Sequence, residues 1–252
     1  MAFGSALSFR NHRFSDPHQP ADPSSTDDNE FSFCSQYATD GSDAPINGKG
    51  LLARQGLDPR EWRIDVVGMT LDIRPLTPDL WPALEDLFGK KGACNGCWCM
   101  YGRIGSAYRK RPAEENKAAF RAIVEGGPPP GLLALAGDKA VGWCQLTPRD
   151  AVPALDRVWQ LKRVDDVLVW SLSCFYVRIG YRRKGITAAL IAAALKAARE
   201  AKAPALEAYP FDADVSPSTS GSGFASTFAR AGFKTVARRI PARPIMRHDL
   251  MA

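Results

Sequence analysis

Histidine is almost missing from this chain. Three are present in 252 residues: His12, His18 and His248. The first two sit in a polar N-terminal stretch and the third lies near the other end. That argues against a histidine-based triad or a histidine-rich metal site, which need imidazoles at defined places in a fold. Long apolar runs are missing too. The longest is Ala188–Leu195, far short of the roughly 20 residues of a spanning helix. The N-terminus lacks an apolar signal-peptide core. The expectation is a soluble cytoplasmic protein with no membrane partner. The six cysteines then read as reduced thiols rather than a disulfide frame.

What is present is ordinary globular composition, 45% hydrophobic and 24% charged, with a formal net charge of +6. A cationic protein attracts polyanions, either nucleic acid or a multiply charged small ligand such as a CoA or a nucleotide. Residues 1–68 are rich in Ser, Asp, Pro and Gly and show no apolar period. They read as a non-core extension, with a short helix near Pro59–Ile64. One reading makes Met69 the natural start; an intact mass of the native protein corresponding to the full length would exclude it.

From residue 69 the pattern sharpens into one domain, 69–252. "TLDIRPL" alternates as a strand. Thr77 then Pro78 predicts an N-capped helix that ends at Gly89. A second helix starts at Pro112 and stops at a run of glycines and prolines. Residues 131–149 read as a hairpin around Gly137-Asp138, and 151–166 as an irregular connection. "VLVWSLSCFYV" is apolar on both alternating faces, as a doubly covered central strand would be. A helix over Ile186–Lys202, a strand at "ALEAYPFD", a short helix at "FASTFAR" and two closing strands complete the order β-α-α-β-β-β-α-β-α-β-β. This is an α/β layer fold.

One junction is chemically odd. Arg182, Arg183 and Lys184 stand where a buried strand gives way to a helix. A helix start has unpaired amides and partial positive charge, so such a junction is an anion site. Gly185 allows close approach there, and the cations add charge-assisted bonds.

The six residues Arg182-Arg183-Lys184-Gly185-Ile186-Thr187 resemble the acetyl-CoA motif of the GNAT superfamily of CoA-dependent N-acetyltransferases, Arg/Gln-x-x-Gly-x-Gly/Ala. The preceding "YVRIGY", the closing "FARAGF" and the element order extend the likeness over about the last 180 residues. The loop "GCWCM" also resembles that of an uncharacterised subgroup. The resemblance implies a central mixed, mostly antiparallel, twisted sheet of six to seven strands with flanking helices. It implies acetyl-CoA as co-substrate, with its pyrophosphate on the amides of Arg183–Thr187. Its pantetheine arm and thioester would lie along Phe175, Tyr176 and Val177. Two positions depart from the pattern. Thr187 replaces Gly or Ala. Phe228 stands where many members carry a tyrosine that protonates the CoA thiolate.

Transfer to a primary amine requires the amine to lose a proton, since a lysine-like amine has a pKa of about 10.4. Glu207 and Tyr209, two apart on a predicted strand, are the candidate base and acid. The bland alternative is a carboxylate and a phenol at a strand edge. Ser171 and Ser173 could hold a relay water.

"CNGCWCMYGR" carries Cys94, Cys97 and Cys99. These are three local ligands where zinc takes four, so no metal is expected. Two other readings stand beside zinc. Cys97, Trp98, Cys99, Met100 and Tyr101 could line an acceptor pocket. Alternatively, a thiol here could be redox-active or acyl-accepting, with Lys90 and Lys91 nearby. The acceptor, a small-molecule or protein amine, is not legible, and neither is oligomeric state, a homodimer being one arrangement. A non-catalytic acyl-CoA sensor on the same fold is the alternative function. Nucleic acid is disfavoured, because the cations are not laid along one face with aromatics between them.

Overall fold

Leu71 and Ile73 alternate with Asp72 and Arg74, the pattern of a strand with one face on a core. Both apolar side chains are fully buried. The computed structural model describes residues 62–212 and 221–251. Among them, eight strands form one sheet: β1 (Trp62–Val66), β2 (Met69–Pro75), β3 (Gly131–Ala136), β4 (Lys139–Pro148), β5 (Trp170–Val177), β6 (Ala205–Ala208), β7 (Lys234–Arg238) and β8 (Pro244–Asp249). The spatial order is β1-β2-β3-β4-β5-β6-β8-β7. Neighbours are antiparallel except β5 and β6, which are parallel. The helices are α1 (Trp81–Phe88), α2 (Tyr101–Ile104), α3 (Ala113–Gly126), α4 (Ile186–Glu200) and α5 (Ala225–Arg230). The α/β class, the mixed sheet and the flanking helices are as expected.

Two local expectations are corrected. Residues 62–66 are a strand, not part of a helix, and raise the strand count above seven. The signal was there: Trp62, Ile64 and Val66 alternate with Arg63 and Asp65 and pack on the core. Pro59–Glu61 and the rest of the extension lie outside the described residues. Thr77 makes no side-chain cap; Pro78–Leu80 form a 3-10 turn before α1 begins.

The sheet has two covered faces. On one, Ile186, Leu190, Ile191 and the alanines of α4 pack against Val141, Cys144, Leu146, Leu172 and Phe175. Each fully buried large aliphatic side chain contributes about 1.5–3 kcal/mol. On the other, Trp143 of β4 meets Phe88 and Phe120 edge-on, with ring centroids 6.2 and 5.9 Å away. Trp98 joins them by stacking on Trp81 at 5.9 Å.

Gly142 sets how close α4 comes to the sheet. A Cβ there would lie 2.6 Å from Ile186 Cγ2 and 3.2 Å from Leu190 Cδ1. The first turn of α4 is thereby seated directly on β4. Gly142→Ala should destabilise the domain by about 1–3 kcal/mol through overpacking. The urea midpoint should fall with an unchanged slope.

Candidate functional site: an anion-binding cleft between diverging strands

β5 and β6 pair only over Trp170–Leu172 against Leu206–Ala208. Beyond that point β5 runs on to Val177 while β6 ends, and Tyr209-Pro210 follow. Proline has no N–H to continue a ladder. The strands therefore part, and the β6-facing edge of β5 borders a cleft of about 570 Å³.

The directions of the β5 amides follow from its other neighbour. Arg178 donates its N–H to Val141 O at 2.9 Å. Antiparallel alternation then turns the Tyr176 amide to β4, and the Phe175 and Val177 amides toward the cleft. The Phe175 N–H donates to Gly221 O at 2.5 Å. The segment around Gly221–Phe224 lies across the fork, for Phe211 N also donates to Gly223 O at 2.9 Å. Ser173 is an extra residue, since Cys174 pairs with Gln145 and Leu172 with Leu146. This bulge keeps Leu172 and Phe175 on the α4 face and turns Cys174 and Tyr176 to the other.

One end of the cleft is the basic turn. Arg182, Arg183, Gly185, Ile186, Thr187 and Ala188 line it, and Arg230 of α5 adds a further cation. Gly185 is the N-cap of α4 with φ +88°, a conformation that favours glycine. A Cβ there would meet only Val66 at ordinary contact, so backbone conformation rather than crowding within the protein accounts for the glycine. The amides opening this 15-residue helix have no partners within it. Arg182 Nε donates to Val177 O at 3.3 Å, and Lys184 sits 5.4 Å from the Tyr181 ring centroid. Among the described lining residues there is no Asp, Glu or His. The cleft is thus cationic, with nothing to repel an anion.

The other end is the cysteine loop, held by unusual means. Asn116 of α3 is fully buried and donates to Gly96 O at 2.9 Å and Tyr108 O at 2.8 Å. Ala93, Asn95, Trp98 and Cys99 all have positive φ. Left-handed backbone at non-glycine residues costs about 1–3 kcal/mol each and persists only where packing holds it. Here Gln145 donates to Cys99 O at 3.2 Å and Trp143 Nε1 donates to Cys99 Sγ at 3.0 Å. Cys97 and Cys99 line the cleft with Cys174. Burial, followed by the neighbouring Cys99, pushes the Cys97 thiol up to about 12. Burial and then the contact with Cys174 raise Cys99 well above its ordinary value.

Of the residues expected to form the acceptor pocket, Trp98, Met100 and Tyr101 are not in the cleft. They are buried, Trp98 between Trp81 and Phe88 and Tyr101 edge-on to Tyr108. The sequence offered no way to separate Cys97 and Cys99 from these neighbours. Left-handed backbone at 98 and 99 sets where each side chain points. Cys94 also lines the cleft. Cys97, Cys99, Cys144 and Cys174 are free thiols. Among the described residues, no group of three or more His, Cys, Asp or Glu is placed to hold a metal.

Glu207 and Tyr209 are brought to each other but not to the cleft. Glu207 Oε1 accepts from Arg247 Nε at 3.1 Å and Nη2 at 2.6 Å. Its Oε2 accepts from the Tyr209 hydroxyl at 3.2 Å and lies 3.6 Å from Arg149 Nη1. Arg149 also donates to Tyr209 Oη at 2.5 Å and to Asp156 at 2.6 Å. Burial, then the Glu207 charge, raise the Tyr209 pKa. Glu207 pairs with Ser171 one register before the last, Leu172 with Ala208, so this network clamps the fork. Phe228 is core, with ring centroids 5.9 Å from Phe175 and 5.2 Å from Phe233.

An unpaired strand edge running into a cationic helix start fits a long ligand with phosphates at one end, as a CoA thioester has. Residues 98–219 match the model of the acetyltransferase (GNAT) family. That region is an acetyl-CoA-dependent N-acetyltransferase domain. No curated protein sequence matches the chain. Among solved structures, a protein assigned as arylalkylamine N-acetyltransferase 7 from the yellow fever mosquito superposes with TM-score 0.54 at 13% identity, covering 81% of this chain and all of that one (100%). The GNAT domain of S. lividans PAT gives 0.49 at 17% identity, covering 75% and 97%. PaiA N-acetyltransferase from Thermoplasma acidophilum, solved with coenzyme A, gives 0.43 at 18%, covering 72% and 99%. No helix among the described residues is long and apolar enough to cross a membrane.

Glu207→Ala leaves Arg149 and Arg247 without their shared counterion. Removing one partner of a buried ion pair costs about 3–5 kcal/mol. The variant should lose that much in urea unfolding.

Proposed function

We propose that the cleft binds acetyl-CoA with its pyrophosphate on the first turn of α4 and its pantetheine along the free edge of β5. A single observation carries this: the Val177 edge, the basic turn and the α4 amides line one continuous space. Arg182, Arg183, Lys184 and Arg230 neutralise the phosphates. Gly185, Ile186 and Thr187 supply amides, and Thr187 narrows the approach without removing its N–H. Phe175, Tyr176 and Val177 flank the arm. With the Phe175 amide engaged by Gly221, the Val177 amide is the donor left on that edge for the arm or the thioester carbonyl. A donor aimed at the developing oxyanion is worth about 2.7–4 kcal/mol in comparable enzymes.

The acceptor is a primary amine, reaching the thioester from the cysteine-loop end and attacking the carbonyl directly. Its lone pair forms the C–N bond, the C–S bond breaks, and CoA leaves as thiolate. Phe228 carries no proton for that thiolate, but a thiol pKa of about 8.5 makes it a tolerable leaving group. No carboxylate reaches the cleft among the described residues, so water takes the amine's proton. Glu207 and Tyr209 serve as the clamp beneath the fork and move no proton.

Two measurements test this. Ala188 is exposed on the first turn of α4 and lines the cleft, so Ala188→Glu sets a carboxylate against the pyrophosphate. An acidic residue there suits the helix dipole and leaves folding intact. Calorimetry should show micromolar acetyl-CoA binding in the native protein, weakened at least tenfold in the variant. Native protein that fails to bind would end the proposal. With an accepted amine of pKa about 10, log kcat/KM should rise with unit slope through pH 7–9, because the neutral fraction grows tenfold per pH unit below that pKa. A plateau near pH 6–7 would reveal an enzymic base. Binding without transfer to any amine would favour the sensor reading.

A further inference from the structure

The cleft's far end holds a pair of thiols that acetyl transfer to an amine does not use. Cys174 is partly exposed on β5, and its Sγ lies 4.0 Å from Cys99 Sγ. Both line the cleft that ends, at its other extreme, on the basic turn. A thioester whose phosphates rest on α4 and whose arm follows β5 brings its sulfur to this end. The same cleft would bring there the sulfur of any other CoA derivative. Cys99 is oriented as well as near: the Trp143 indole N–H points at its sulfur at 3.0 Å, and Gln145 holds its carbonyl.

We infer that Cys99 and Cys174 form a reactive dithiol whose substrate is a disulfide of CoA, recognised through the same phosphate and pantetheine contacts as acetyl-CoA. The inference rests on the CoA-binding reading of the cleft. Cys174, the more accessible of the pair, attacks one sulfur of CoA disulfide as thiolate. The S–S bond breaks, one CoA departs as thiolate and takes up the proton that Cys174 gave to solvent, and the other CoA stays on Cys174 as a mixed disulfide. Cys99 then attacks the Cys174 sulfur. A Cys99–Cys174 bond forms and the second CoA leaves as thiol with the proton lost by Cys99. Two cysteine thiols are oxidised, and one CoA disulfide is reduced to two CoA thiols. The bond requires the sulfurs to close from 4.0 Å to the disulfide length of about 2.05 Å. Accessibility governs the order: Cys174 is partly exposed and Cys99 is buried, so Cys174 meets the disulfide first. Either product occupies the acyl end of the cleft, so oxidation should stop acetyl transfer.

The test uses the full-length protein, reduced and freed of reductant, with CoA disulfide and, separately, 2-hydroxyethyl disulfide as probes. Peptide mapping by mass spectrometry should find a Cys99–Cys174 link after CoA disulfide treatment, formed at least tenfold faster than with 2-hydroxyethyl disulfide. Cys99→Ser should stop at the mixed disulfide, retaining one CoA on Cys174. Cys174→Ser should take up none at Cys99. Ala188→Glu should slow the CoA disulfide reaction at least tenfold and leave the 2-hydroxyethyl disulfide rate unchanged. Absence of the Cys99–Cys174 link with either probe, or equal rates for the two, overturns the inference. Acetyl-CoA calorimetry on the same sample separates the two failures. Intact binding without the thiol reaction sinks the dithiol alone, whereas absent binding sinks the cofactor reading and the inference with it.

Discussion

The structure depends on one interrupted ladder. β5 and β6 share three register pairs and then stop pairing. An unpaired strand edge inside a domain leaves backbone groups that must find other partners. Gly221 takes one of them, the Phe175 amide, and Arg182 reaches back to another, the Val177 carbonyl. What remains opens on a cleft whose shape follows from the divergence. Removing the divergence would continue the sheet and leave no place for an extended ligand.

Two devices hold the fork. Beneath it, Glu207 is gripped by Arg247 and faces Arg149, with Tyr209 completing the network. Charges so deeply buried are stable only when paired, so they tie β6 to β8 and to the connection after β4. Above it, α4 lies close on β4 because Gly142 has no side chain to keep it away. The helix start therefore faces the open edge of β5. The clamp fixes where the strands part, and the packing fixes where the phosphates would sit.

The cysteine loop is a third constraint of a different kind. Four non-glycine residues hold left-handed backbone there, restrained by Asn116, Gln145 and Trp143. Strain held by packing marks a segment whose geometry matters more than its local comfort. It buries Trp98 in the aromatic cluster while leaving Cys99 beside Cys174. Sequence distance gave no sign of this pairing, since the two cysteines are 75 residues apart.

Periodicity and punctuation by themselves determined every helix but α2, most of the strands, the α/β class and the basic turn at the start of α4. These follow from local rules: alternation, a glycine at a helix start, cations beside unpaired amides. The strand at 62–66 was legible in the same way, through Trp62, Ile64 and Val66. Only the tertiary structure decided which polar residues face the cleft. Glu207 and Tyr209 share a strand face, and that was readable. That face turns inward, onto arginines brought from β8 and from the connection after β4, and no local pattern carries such information. The thiols followed the same rule. C-x2-C-x-C grouped three cysteines within the loop, but Cys99 meets a cysteine from β5. A side chain's chemical role is set by what long-range packing places within about 4 Å of it, which spacing along the chain does not encode.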